Sequence, residues 1–271
     1  MSDLDDGPAS AQIVERVLSS SRYRDVDRAL LDRLAVEELT RARNADDAVK
    51  RVKRRLHQAV GAFRGRSLSR GLADAWHGDL DDPAFRAACV DVLRSHASTR
   101  ERIDHLTSFY VGIWAHTGVP QRLLEIGCGL GPIALPWMGI GSATYLATDV
   151  DRRVLAPVRD FLELVGQPHS VWASDAVTDP PSDDADVALL LKLVPTLDRQ
   201  DPSASARLLK ALHVRHAVVS FPARSLGGRA KGMERSSRGR LERLIDETGR
   251  VSAVAEASVP NELVFVLTLD A

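Results

Sequence analysis

From residue 11 to residue 94 apolar side chains recur at helical spacing, as at Val26, Leu30 and Leu34 and again at Phe85, Cys89 and Val92. No convincing period-2 alternation interrupts them, so the pattern predicts an all-helical N-terminal domain over residues 1–94. Ser98-Thr99-Arg100-Glu101 then has the S-x-x-E spacing of a capping box, in which a hydroxyl and a carboxylate satisfy helix-start amides reciprocally. A helix from about Thr99 to about His116 is expected.

After Pro120 the pattern changes to short apolar runs separated by helical stretches: Leu123 to Ile126, Thr144 to Ala147, Val187 to Leu191 and Val218 to Phe221. That alternation predicts an α/β domain over residues 95–271, with a parallel sheet covered by helices. Val251 to Ala257 and Leu263 to Leu269 are separated only by Ser258-Val259-Pro260-Asn261-Glu262, too short for a crossover helix, so an antiparallel hairpin closes the sheet.

With 271 residues, 44% hydrophobic and 27% charged, the chain can bury the core of one to two domains, which excludes disordered and collagen-like classes. The longest apolar candidates, such as Val187 to Val194, are broken by Lys192 and fall short of the roughly 18–20 residues of a membrane span. Met1 to Asp6 is acidic where a signal peptide is basic, so a cytoplasmic protein is expected. Cys89 and Cys128 have no CxxC spacing, and the histidines form no H-x-E or H-E-x-x-H pattern, so no metal site is expected.

The net charge of −1 hides a division. Residues 22–70 carry +7, residues 224–243 carry +5, and the remainder sums to −13. Between Val49 and Phe63 an apolar stripe (Val49, Val52, Leu56, Val60, Phe63) leaves Lys50, Arg51, Lys53, Arg54 and Arg55 outside it. One such face is also what an ordinary solvated helix presents. A second basic segment, containing Arg224, Arg229 and Lys231 among glycines, tilts the balance toward a polyanion partner.

Leu123-Leu124-Glu125-Ile126-Gly127-Cys128-Gly129-Leu130-Gly131-Pro132 places a glycine turn directly after an apolar strand, where absent Cβ atoms let a ligand lie against backbone. A dinucleotide fingerprint would need glycine at Pro132. E-x-G-x-G-x-G, followed by Asp149 at the end of the second strand, instead resembles the Rossmann-like class I methyltransferases that bind S-adenosylmethionine. In that fold Asp149 accepts the ribose hydroxyls and Asp175 sits near the adenine amino group.

Three stretches narrow the resemblance: His96 to Arg102, Cys128 to Pro132, and Phe221 to Met233, which holds Gly227-Gly228-Arg229-Ala230-Lys231-Gly232. With Ala48 to Phe63 and Asn261-Glu262-Leu263, the chain resembles, over nearly its whole length, the aminoglycoside-resistance 16S rRNA methyltransferases of the Arm/Rmt kind. Members commonly have Asn at the position of Gly131 and a different stretch after Met233.

The resemblance implies a 16S rRNA (guanine(1405)-N(7))-methyltransferase that uses S-adenosylmethionine, acts on the 30S subunit and gives resistance to 4,6-linked deoxystreptamine aminoglycosides. It places Phe63, His96, Ala97, Ser98, Arg102, Gly127, Gly129, Asp149, Asp175, Ala176, Leu191 and Gln200 around the cofactor, with Arg102 on the methionyl carboxylate. It makes the N-terminal domain RNA-binding, and Lys50, Lys53, Arg54, Arg224, Arg229 and Lys231 the candidate RNA contacts of a protein expected to be a monomer.

Guanine N7 has a lone pair and no proton to lose, so no catalytic acid or base is assigned. Lys192-Leu193-Val194-Pro195 stands where amine methyltransferases carry Asn/Asp-Pro-Pro-Tyr/Phe, which disfavours exocyclic amine methylation. Two other readings stay open from the residues: a non-catalytic rRNA-binding factor with this fold, and a methyltransferase of another rRNA position or a small molecule.

Overall fold

The structure is a computed structural model that describes residues 6–59, 68–222, 230–260 and 262–270. Its centre is a seven-stranded sheet in the order β3-β2-β1-β4-β5-β7-β6, made of β1 (Arg122–Ile126), β2 (Thr144–Asp149), β3 (His169–Ala173), β4 (Ala185–Leu191), β5 (Val214–Pro222), β6 (Val251–Ala257) and β7 (Glu262–Leu269). The first five strands are parallel, and β7 runs antiparallel between β5 and β6. The strands read from apolar runs and the terminal hairpin therefore lie where the pattern puts them.

Both faces of the sheet are covered, which is why its strands are apolar at successive positions instead of alternating with polar ones. Val187, Leu189 and Leu191 of β4 point into one core with α5 (Pro83–Arg94), α7 (Leu106–Thr117) and α8 (Arg152–Leu164). Ala188 and Leu190 point into the other with α9 (Val194–Gln200), α10 (Ala204–Ala211) and α11 (Ala230–Thr248). The edge strand β6 is mostly exposed and carries Glu256, a charge that discourages edge pairing.

A third core joins α1 (Asp6–Leu18), α2 (Arg28–Leu39) and α3 (Ala45–Ala59) through Ile13, Leu30, Leu34, Val52 and Leu56. The all-helical region divides within itself. Leu72 of α4 (Leu68–Ala75) and Phe85, Cys89 and Leu93 of α5 pack into the sheet's core, with Phe85 stacked on Phe161 of α8. Helical periodicity shows which face is apolar, not which core that face joins.

The single helix expected from Thr99 to His116 is broken. A short α6 (Ala97–Arg100) and a 3-10 turn at Ile103–His105 precede α7, which ends at Gly118 with φ +71°. The capping box does not form because its parts are engaged elsewhere. Ser98 Oγ bonds His96 Nδ1 at 2.8 Å, and the Glu101 carboxylate pairs with Lys192. Thr99 Oγ1 instead donates to the main-chain oxygens of Leu93 and His96.

Candidate functional site

Strand order reverses between β1 and β4, and sheets of this kind bind ligands at the carboxyl ends of the strands beside that reversal. A cavity of about 230 Å³ opens there. Its floor is the turn after β1, where Gly127 and Gly129 have φ of +65° and +51°. A Cβ on Gly127 would meet Leu193 Cδ1 at 2.9 Å, and one on Gly129 would meet His96 Cε1 at 3.3 Å. The turn is held open by fixed bonds: Cys128 N donates to Thr148 O at 3.0 Å, and Gly129 N donates to Asp149 Oδ2 at 2.9 Å.

Asp149 is half-buried on the cavity wall, and its other oxygen accepts from Asp151 N at 2.9 Å. Burial pushes its carboxyl up to about 6, with the main-chain donors of Asp151 and Gly129 opposing the rise. Across the cavity, burial lowers the His96 imidazole, Asp151 opposes, and Arg102 and Lys192 add to the lowering. Asp175 is buried, and its carboxylate accepts from Val177 N at 3.1 Å.

Of the residues that resemblance puts around the cofactor, the cavity is lined by His96, Ser98, Gly127, Gly129, Asp149, Asp175, Ala176, Leu191 and Gln200. Ala97 lies in α6 between two of them. Phe63 falls outside the described residues. Arg102, assigned to a carboxylate ligand, lies instead on Glu262: Nε and Nη2 donate to its two oxygens at 2.7 and 2.6 Å. Ser220 Oγ also donates to Glu262, and Lys192 Nζ stands 3.8 Å from it. Neither Arg102 nor Glu262 lines the cavity.

Three basic residues at the site, His57, Lys192 and Arg33, are absent from that set. His57 lines the cavity from α3, and Lys192 lines it from the end of β4 with a non-glycine φ of +58°. Such strain is sustained only where surrounding structure holds it, here by Lys192 N donating to Ser220 O and Oγ and by the ammonium paired with Glu101. Arg33 of α2 touches Asp175 and Gln200. Only the Lys192 position had a signal in sequence, its place after the fourth strand.

The cationic helix α3 is split by its own pairing. Arg51 donates to Glu38 at 2.6 Å, and Arg55 reaches both Glu37 and Glu38, so these two charges face inward onto α2. Lys50 and Arg54 are exposed and Lys53 is half-buried, and none makes an ion pair among the described residues. Arg224 and Arg229 fall outside the described residues; Lys231 lies in the first turn of α11, its side chain outside the description. Among the described residues no group of three or more His, Cys, Asp or Glu could hold a metal ion, and no helix is long and apolar enough to cross a membrane.

Residues 19–266 match the family model described as ribosomal RNA methyltransferase (FmrO). A 16S rRNA (guanine(1405)-N(7))-methyltransferase of Micromonospora echinospora is 37% identical over 264 residues, covering 94% of this chain and 95% of that protein. One from Micromonospora rosea is 35% identical over 263 residues, with 94% and 95% covered. Among solved structures, the 16S rRNA methyltransferase RmtF in complex with S-adenosyl-L-homocysteine is 31% identical, with a TM-score of 0.83 and 100% of both chains covered.

Proposed function

The chain belongs to the FmrO family of ribosomal RNA methyltransferases, and from that premise we propose that it methylates N7 of guanine 1405 of 16S rRNA, within the 30S subunit. S-adenosylmethionine supplies the electrophilic methyl group, carried on a sulfonium. The observation that carries this reading is the cavity at the strand-order reversal, where a positive-φ glycine turn and the Asp149 carboxylate share one hydrogen bond.

The residues present fit that cofactor. Side chains absent at Gly127 and Gly129 leave space that Leu193 and His96 would otherwise contest. Asp149 is an acceptor at the end of β2, suited to ribose hydroxyls, and Asp175 and Ala176 form a wall suited to a purine. Arg102 can serve a carboxylate end only by giving up part of its grip on Glu262.

Because guanine N7 has no proton to remove, the chain's contribution is alignment of donor and acceptor, and no side chain is assigned as acid or base. A base inside folded rRNA must be exposed first, at a cost of a few kcal/mol supplied by contacts elsewhere. Lys50, Lys53 and Arg54 on the outer face of α3, with Arg224, Arg229 and Lys231, are the proposed phosphate contacts. The protein acts as a cytoplasmic monomer without metal, and the modification gives resistance to 4,6-linked deoxystreptamine aminoglycosides.

The test is incubation of 30S subunits with the protein and S-adenosylmethionine, then cleavage at N7-methylguanine and primer extension. A new stop at guanine 1405 is expected. Cofactor binding by calorimetry with no such stop would redirect the activity to another rRNA position or a small molecule. A folded chain that binds no cofactor would be an rRNA-binding factor.

A further inference from the structure

Arg33 belongs to the helical core of α1 to α3, yet its guanidinium is directed onto the cavity wall. Its Nε and Nη2 lie 2.9 Å from Asp175 Oδ2, and Nη2 donates to Gln200 Oε1 at 2.8 Å. Nη1 donates to Glu37 at 3.1 Å, which holds the fork in place from its own helix. The side chains of Arg33 and Asp175 are 12% and 2% exposed, so this bridge is largely withdrawn from water. Among the described residues Arg33 is the one ion-pair partner of Asp175.

We infer that Arg33 is a positioning residue of the donor site, which orients Asp175 and Gln200 so that the cavity selects a purine carrying a 6-amino group. The inference rests on the proposed cofactor reading. A guanidinium has donors only, so each oxygen it touches must be an acceptor. With Arg33 and Thr178 Oγ1 on Oδ2 and Val177 N on Oδ1, the carboxylate's direction is set, and the lone pair left on Oδ1 can only accept. An adenine amino group supplies a donor to such a site, whereas the 6-oxo group of hypoxanthine presents another acceptor. The helical N-terminal region is on this reading a structural part of the donor site, in addition to carrying the outward charges of α3.

The test measures calorimetric affinities of the full chain for S-adenosylhomocysteine and S-inosylhomocysteine, in the wild type, Arg33→Ala and Arg33→Lys. The wild type should prefer the adenosyl ligand, and Arg33→Ala should weaken that ligand by about tenfold, the size of one charge-assisted hydrogen bond. Inosyl affinity should hardly change, so the preference collapses. Arg33→Lys, which keeps the charge and reaches one partner instead of two, should recover part of it, and it carries the test if the alanine variant fails to fold. Equal weakening of both ligands, or no change in a folded variant, overturns the inference. A folded wild type that binds neither ligand overturns the cofactor reading itself.

Discussion

Arg102 and Glu262, 160 positions apart in sequence, form a two-bond fork in which the side chains are 7% and 3% exposed. The guanidinium also lies over Phe109, 4.9 Å from the ring centre. Burial by itself would raise the Glu262 carboxyl, but the charge of Arg102 and its hydrogen bonds, with Lys192 and Ser220, hold it below the ordinary value. The pair ties the broken helix before α7 to the start of β7. Removing one charge leaves the other buried and uncompensated, so Glu262→Gln should cost about 3–5 kcal/mol in urea unfolding. A loss under about 1 kcal/mol, the worth of an exposed pair, would mean the fork is not maintained in solution.

The Glu125 carboxyl is shifted the other way, upward, and this makes stability depend on pH. It is buried behind the glycine turn, where Tyr145 OH donates to Oε2 at 2.5 Å, and burial pushes it up to about 7 despite that bond and Arg102. A folded-state value above the unfolded one means the contribution is fully present below the unfolded value of 4.5 and is lost as pH rises through about 7. Between those limits the wild type should lose roughly 3 kcal/mol relative to Glu125→Gln, which has no such proton to release. Parallel stability curves for the two proteins from pH 4.5 to 7.5 would contradict the assignment.

Gly131 tests the same carboxyl sterically. A Cβ there would lie 2.2 Å from Glu125 Oε1 and 2.6 Å from Oε2, and burial with the bond from Tyr145 leaves that side chain little room to move. Gly131→Ala should destabilise by about 1–3 kcal/mol. In a Glu125→Ala background the same substitution should cost much less, and thermal unfolding of the four proteins of that cycle measures the difference.

Donor binding and subunit binding should separate. Asp149→Ala should abolish most cofactor affinity measured by calorimetry while leaving 30S binding in place. Replacing Lys50, Lys53 and Arg54 with alanine should leave cofactor affinity alone and weaken 30S binding, with a log–log salt slope shallower by about one for each phosphate no longer neutralised. Arg55→Ala should lower stability without changing the slope, since Arg55 is committed to Glu37 and Glu38. Loss of both affinities in either set would contradict this division.

What could be read along the chain was whatever local rules control. The apolar runs named the strands because a doubly covered sheet needs apolar residues on both faces, and the glycine turn with Asp149 after it marked the site because ligand approach there requires missing Cβ atoms. Periodicity exposed an apolar face on α5 without revealing that it packs on the sheet. The count of charges on α3 was visible, but not that Arg51 and Arg55 turn inward.

Pairing at long range belongs to the folded chain. The S-x-x-E stretch at Ser98 satisfies the spacing of a cap, yet Lys192, 91 positions away, takes its carboxylate. Arg102 and Arg33 find Glu262 and Asp175 only after the strands and helices are stacked. Spacing governs contacts a few residues apart because backbone geometry is periodic. Which charge meets which across the molecule depends on the packing that brings distant segments together and excludes water between them.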